Sequence, residues 1–377
     1  MSQEATPRPE VERLSKLDRV VCSDLHVTED LDDILPYIDD RFRGPKRIMA
    51  AAENPKNDVF ATSHATPLKS MGLFEGTELD YNIHDPETLM PRMAEFGLGA
   101  GVLSPSLSTN IATVRNSRFA VALMNGYNNW LLDTFLQEDN GLYGTILVSG
   151  HRPDKSAEEI DRLADEDRLV GVQLPATGLV PPPGDVSYDP IFRAAEDNDL
   201  PLCMHGVNGS FSVAFPVQRR WNQTYIENHT LAHPFSHMWN MTSMILEGVP
   251  ERYPDLEFVM QEAGIAWVPY LTWRLDDEYL KRPDDAPYLE KLPSEYIAER
   301  FYFSSQPLGH TETNPKHVAQ MIEMIGPDSV MFASDIPHHD FDPPWELYNR
   351  IRPHFDDETL NGIMGATAVD VFDLDLS

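Results

Sequence analysis

Residues 19–26 read Arg-Val-Val-Cys-Ser-Asp-Leu-His. An apolar run that closes on polar groups is the pattern of a buried strand whose end opens on a site. Side chains at i and i+2 of a strand share a face, so Asp24 and His26 point the same way. Seven further segments follow the same pattern: Leu98–Ser104, Leu142–Ser149, Leu169–Pro175, Leu200–His205, Leu256–Gly264, Arg300–Ser305 and Ser329–Asp335. Most are near-continuous apolar runs, as strands buried on both faces require.

Helix-like stretches lie between them: Asn116–Leu136, Lys155–Ala164, Asp189–Asn198, Thr230–Leu246, Ile265–Tyr279, Asn314–Ile325 and Trp345–Pro353, with a last one near Asp357–Met364. Lys155–Ala164 opens with Ser156-Ala-Glu-Glu, which has the form of a capping box, and Asp189–Asn198 carries Pro in its first turn. Alternating β and α segments predict a parallel sheet, and eight units predict a closed barrel over an open sheet. The fold class expected is therefore α/β, a (β/α)8 TIM barrel, with residues 1–377 forming one domain. Two segments are too long for ordinary βα loops: 27–96 after the first strand and 207–228 after the fifth. Both follow strand C-termini, where a barrel builds its site, so both are candidate lids.

Composition excludes several classes. Of the 377 residues 41% are hydrophobic and 10% aromatic, enough for a large core and against global disorder. No run approaches the roughly 18 apolar residues of a membrane span. The polar first residues lack the pattern of a signal peptide, and two cysteines, Cys22 and Cys203, fit a reducing cytoplasm. Sixty-one acidic side chains against 29 basic ones give a net charge of −32. Such a surface repels phosphate backbones and anionic lipid, which argues against nucleic acid and membrane as partners. The acids are scattered and Lys is rarer than Arg, as in a solvated, halophilic coat.

Chemistry gathers at the strand ends. The fifth strand ends Cys203-Met204-His205-Gly206, and the eighth ends Ala333-Ser334-Asp335. Separately, His205 reads as a packed imidazole and Asp335 as a turn cap. Together with Asp24 and His26 they stand on one face of the barrel. Ring closure sets strand 8 beside strand 1, with His205 across the mouth. Two imidazoles and two carboxylates suit one divalent ion, zinc before manganese or iron, with a position left for water or substrate.

The chain resembles the amidohydrolase superfamily, in particular the amidohydrolase-related branch that includes aminocarboxymuconate semialdehyde decarboxylase and the dihydroxybenzoate-type decarboxylases. The carriers are Ser23-Asp24-Leu25-His26, Met204-His205-Gly206, His229-Thr-Leu-Ala-His233-Pro-Phe235, Gln261-Glu262-Ala263-Gly264 with Trp267-Val-Pro-Tyr270 and Arg274-Leu-Asp276, Phe332-Ala-Ser334-Asp335-Ile-Pro337-His338, and Asn361-Gly-Ile-Met-Gly365-Ala-Thr-Ala368. The resemblance implies metal ligation by Asp24, His26, His205 and Asp335, with Asp24 where the superfamily has the first His of His-x-His. It implies a single metal, since Gln173 stands where binuclear members carry a carboxylated lysine. It places Glu262 at or next to a strand-6 position that is His in many members. Glu262 and Asp335 are the candidate catalytic groups, Glu262 as a buried general base or as the partner of a cation such as Arg274.

Substrate-side candidates are His233, in an Ala-His-Pro turn near a helix start, His338 or His339 at the mouth, and Arg219 with Arg220 and Trp221, suited to an anionic or aromatic ligand. His64 and His84 lie in the first insertion. Tyr127, Asn128 and Trp130 read as packing residues. The expected function is metal-dependent hydrolysis of a small amide, ester or lactone. The alternatives are non-oxidative decarboxylation of an unsaturated or aromatic acid, and a degenerate binding protein on the same fold. The expected partner is a small molecule, and the resemblance admits a homodimer.

Overall fold

Eight parallel strands form one sheet in sequential order, β1 (Val21–Val27), β2 (Ala100–Pro105), β3 (Leu142–Leu147), β4 (Leu169–Pro175), β5 (Leu202–His205), β6 (Phe258–Gln261), β7 (Phe301–Ser304) and β8 (Val330–Met331). The computed structural model describes residues 9–43, 83–114, 116–137, 140–206, 225–309, 314–338 and 341–376. The expected barrel is thus present. Its last seam is made beyond the two residues of β8. Ser23 N–H donates to the Phe332 carbonyl at 2.9 Å, Asp335 N–H to the Asp24 carbonyl at 3.0 Å, and His26 N–H to the Ile336 carbonyl at 2.8 Å.

The helices around the sheet are α1 (Pro86–Phe96), α2 (Ser117–Phe135), α3 (Pro153–Leu163), α4 (Asp189–Asp197), α5 (Tyr225–Leu246), α6 (Val268–Lys281), α7 (Pro293–Arg300), α8 (Pro315–Ile325) and α9 (Pro344–Ile351), with a short α10 (Asp357–Asn361). Two helix starts lie two or more residues ahead of the sequence reading, and α7 was not among the helices read from sequence. α3 begins at Pro153, because Pro is tolerated where a helix has no N–H to satisfy. Ser156 therefore sits inside it, and its hydroxyl donates to the Ser149 carbonyl at 2.9 Å instead of capping. α5 begins at Tyr225, so His233 and Pro234 lie within a helix and not in a turn at its start. The insertion reading of 27–96 and 207–228 falls largely on residues 44–82 and 207–224, outside the described residues.

Apolar side chains divide by strand face. Leu25, Leu202, Met204, Phe258 and Met260 pack outward against the helices. Val21, Cys203, Val259 and Met331 fill the barrel axis, where Val371, Phe372 and Leu374 of the C-terminus close the floor. Each fully buried side chain of this kind contributes roughly 1.5–3 kcal/mol. Gly365 lets the closing segment touch the first strand: a Cβ there would lie 2.6 Å from the Arg19 carbonyl oxygen. Asn361 Oδ1 accepts the Asp18 N–H at 2.9 Å in the same region. The register of β1 against β2 shifts between Cys22 and Leu25, a bulge of the kind that re-aims side chains beside a site.

Tyr127, Asn128 and Trp130 are buried on α2, as packing residues should be. Asn128 holds β3 by accepting the Leu147 N–H and donating to the Leu147 carbonyl. Among the described residues no helix is long and apolar enough to cross a membrane.

Candidate metal centre

Two groups of possible ligands that share His26 meet at the C-terminal mouth of the barrel: Asp24, His26 and His205, and His26, Asp335 and His338, the ligand atoms of each within 4.8 Å of one another. His26 Nε2 lies 3.1 Å from His205 Nε2, 3.1 Å from Asp335 Oδ1 and 3.6 Å from Asp24 Oδ1. Asp24 Oδ2 lies 3.4 Å from His205 Nε2. Asp24, His26, His205 and Asp335 are essentially inaccessible to solvent. Two ligands each about 2.1 Å from one ion, at angles of ~90–110°, stand ~3.0–3.4 Å apart. The His26–His205, His26–Asp335 and Asp24–His205 spacings fall in that range, and His26–Asp24 is slightly wider.

The protonation pattern agrees with it. His205 Nδ1 lies 2.6 Å from the Gly206 carbonyl, which only accepts, so Nδ1 carries the hydrogen and Nε2 is the atom a neutral imidazole leaves free to ligate. Burial, reinforced by the neighbouring His338, holds the His26 pKa well below the ordinary imidazole value. A neutral imidazole is the ligating form. Asp24 Oδ2 is buried and accepts no hydrogen bond among the described residues. A buried carboxylate oxygen in that state is costly unless a cation faces it. The residues present therefore fit one divalent ion.

Neighbouring polar groups fix the donors. Ser104 Oγ donates to Asp24 Oδ1 at 2.8 Å, and Gln306 Nε2 to Asp335 Oδ2 at 3.0 Å. His338 Nδ1 lies 2.7 Å from Asp335 Oδ1, while its Nε2 faces Ser106 Oγ at 3.0 Å. The His338 ring lies over His26, centroids 4.0 Å apart. Ser106 is held in turn by Glu29, whose carboxylate takes the N–H groups of Ser106 and Ser108 and whose pKa burial raises to about 7.

Glu262 follows β6 with φ +54°, and Asp335 has φ +58°. Both stand in the left-handed region that side chains other than glycine avoid, and such backbone strain gathers at functional sites. Glu262 Oε2 lies 3.4 Å from His205 Nδ1 and 3.5 Å from His233 Nδ1. The pairing with Arg274 is not what the structure shows: Arg274 engages Asp277 and Glu278 on the surface of α6. Gly206 admits His233, because a Cβ there would lie 2.0 Å from His233 Nδ1.

His233, His338, Glu262 and the four donors are thus brought together, and Gln173 stands buried on β4. Arg219, Arg220, Trp221, His64 and His339 lie outside the described residues. Three residues escaped the sequence reading. Ser104 stands near the end of β2 and Gln306 two residues past β7, both at the close of apolar runs. His237 follows His233 by four residues on α5, the spacing that shares one helix face.

A family model described as amidohydrolase matches residues 63–374. The chain belongs to the amidohydrolase family. No curated protein matches it. Among solved structures, this amidohydrolase is similar to the 5-carboxyvanillate decarboxylase of Novosphingobium aromaticivorans, complexed with manganese and 4-hydroxy-3-methoxy-5-nitrobenzoic acid. Identity is 17% and the TM-score 0.73, over 99% of this chain and 100% of that one. A dihydroxybenzoic acid decarboxylase from a Polaromonas species, with manganese and 2-nitroresorcinol, gives 17% and 0.70 over 95% and 97%. An amidohydrolase of Mycobacterium avium subsp. paratuberculosis gives 18% and 0.71 over 94% and 99%. At such identity the likeness establishes a shared fold.

Two outcomes follow for this amidohydrolase. After loading with Mn2+ and desalting, the wild-type chain retains close to one ion by elemental analysis, and His205→Ala retains little. Equal retention would remove His205 from the centre. The second concerns acid stability. Burial lowers the His237 pKa to about 3, below the ordinary value of 6.5. The unfolded chain then binds a proton that the native chain refuses. This contribution is complete above pH ~6.5 and is lost as pH falls toward ~3, at roughly 1.4 kcal/mol per pH unit. Urea unfolding from pH 7 to pH 4 should therefore show a shallower loss in His237→Gln than in wild type. Parallel losses would contradict it.

Proposed function

We propose that the chain is a metal-dependent, non-oxidative decarboxylase of an aromatic or unsaturated carboxylic acid. The observation that carries the reading is Glu262 Oε2, set between His205 and His233 beside a four-donor cluster. The decarboxylases that share the fold support it, and two of them carry manganese. Asp24, His26, His205 and Asp335 would hold one divalent ion, with manganese favoured. When bound, such an ion supplies positive charge that attracts a substrate's carboxylate and adjacent oxygens and draws electrons from the bond that breaks.

The remaining work falls to side chains of this protein. Loss of CO2 leaves an electron pair on carbon, and a proton must take the vacated place. Glu262 and His233 can hold that proton between them and deliver it from the side of β5 and β6. Both are nearly buried, which limits exchange with bulk water. Asp335 keeps one orientation because Gln306 and His338 hold its two oxygens. His338, 13% exposed, presents its ring at the mouth, where it would meet the substrate. Arg219 is proposed for the anionic end of the substrate.

Hydrolysis would use the same donors, with Asp335 or Glu262 taking a proton from water. It ranks second because relatives of known chemistry named above are decarboxylases. A panel of hydroxybenzoates, unsaturated acids, esters and lactones, offered to Mn2+-loaded protein, separates the readings. CO2 release from an acid, reduced at least 100-fold in Glu262→Gln, is expected. Acid release from an ester or lactone without CO2 would establish the hydrolase reading. Inert, metal-loaded protein would leave the binding-protein class.

A further inference from the structure

His237 lies wholly buried on α5 and has no part in the proposed chemistry. Its Nε2 is 2.7 Å from the Gln261 carbonyl, which only accepts, so Nε2 carries the hydrogen. The same carbonyl takes the Gly206 N–H at 3.4 Å. The peptide joining Gln261 to Glu262 is thereby held from α5 and from the end of β5. Glu262 comes next, at φ +54°. A non-glycine residue stays in that region only where its surroundings over-determine it.

The other end of this short turn is held by the same aromatic pair. The His237 ring stacks on the Trp267 indole, 6.2 Å between centroids and 7° between planes. Trp267 Nε1–H donates to the Gly264 carbonyl at 2.9 Å, and Gly264 N–H to the Gln306 carbonyl at 2.9 Å. Gly264 itself has φ +60°. His237 and Trp267 thus clamp both ends of residues 261–264. The turn presents one side chain toward His205 and His233, that of Glu262.

We propose that His237 is a positioning residue, which acts through the Gln261 carbonyl to hold Glu262 against His205 and His233. The inference rests on the reading of Glu262 as the acid beside the metal centre. It goes further in naming the group that sets where this acid stands. His237 touches neither substrate nor ion in this account. Gln at 237 places an N–H at nearly the reach of the imidazole Nε2. Asn falls one carbon short, and Leu has no donor.

The test uses the full chain and two readouts. The first is the His233 ring signal in metal-free protein, assigned with His233→Gln. His237→Leu and Glu262→Gln should move it alike, and the double variant should move it no further. The second is Mn2+ affinity. Each single variant should weaken it about 10-fold, as expected for groups that orient a ligand. The double variant should be no weaker, since contacts acting in series are not additive. His237→Gln should restore affinity to within about 3-fold of wild type. If His237→Leu does not fold, His237→Asn against His237→Gln supplies the same contrast. An unmoved His233 signal in folded His237→Leu, or independent additive losses, would overturn the proposal. Wild-type protein that binds no Mn2+ would defeat the functional reading, while the His233 signal would still decide the role of His237.

Discussion

The seam between the eighth and first strands governs the rest of the site. Backbone hydrogen bonds from Ser23 to Phe332 and from Asp335 to Asp24 bring two buried carboxylates to one place. A buried carboxylate gives up its hydration and needs a cation or hydrogen-bond donors in exchange. His26 and His205 stand beside the two carboxylates, and the proposed divalent cation would answer that cost. The barrel supplies the rigidity, since these donors stand on or just past strands and not on long loops. Ser104, Gln306, Gly206 and His338 then fix individual donor atoms.

The acidic character divides sharply by location. Among the described residues the buried acids are Asp24, Glu29, Glu159, Glu262, Asp335 and Asp342. Three of them, Asp24, Glu262 and Asp335, stand at the candidate metal centre. Glu159 meets Arg162 and Asn128, Asp342 accepts the Leu308 N–H, and Glu29 ties down the loop after β2. Surface acids such as Asp154, Glu158 and Asp277 make exposed ion pairs, which contribute little each and are screened by salt. Among the described residues most acids are thus on the surface, and the proposed chemistry draws on a small, buried minority.

The barrel was legible because buried parallel strands leave continuous apolar runs, and eight such runs precede helical patterns. The gathering of Asp24, His26, His205 and Asp335 near one mouth was legible because each is a polar residue closing an apolar run. His233 was read into an Ala-His-Pro turn because proline interrupts a helix's hydrogen bonds, whereas α5 runs from Tyr225 through Pro234. Ser156 was misread as a cap because Pro153 starts the helix earlier. His237 shares a helix face with His233, but its contact is with the Gln261 carbonyl, which spacing alone does not reveal. The choice between hydrolysis and decarboxylation was not legible, because both reactions use the same donors and differ in what enters the mouth.

Anomalous diffraction at the manganese edge, from crystals of the full chain equilibrated with Mn2+, tests the central claim most directly. The account predicts one strong peak within about 2.3 Å of His26 Nε2, His205 Nε2 and an oxygen each of Asp24 and Asp335. A well-ordered site with no peak there, or an ion bound only elsewhere, would contradict it.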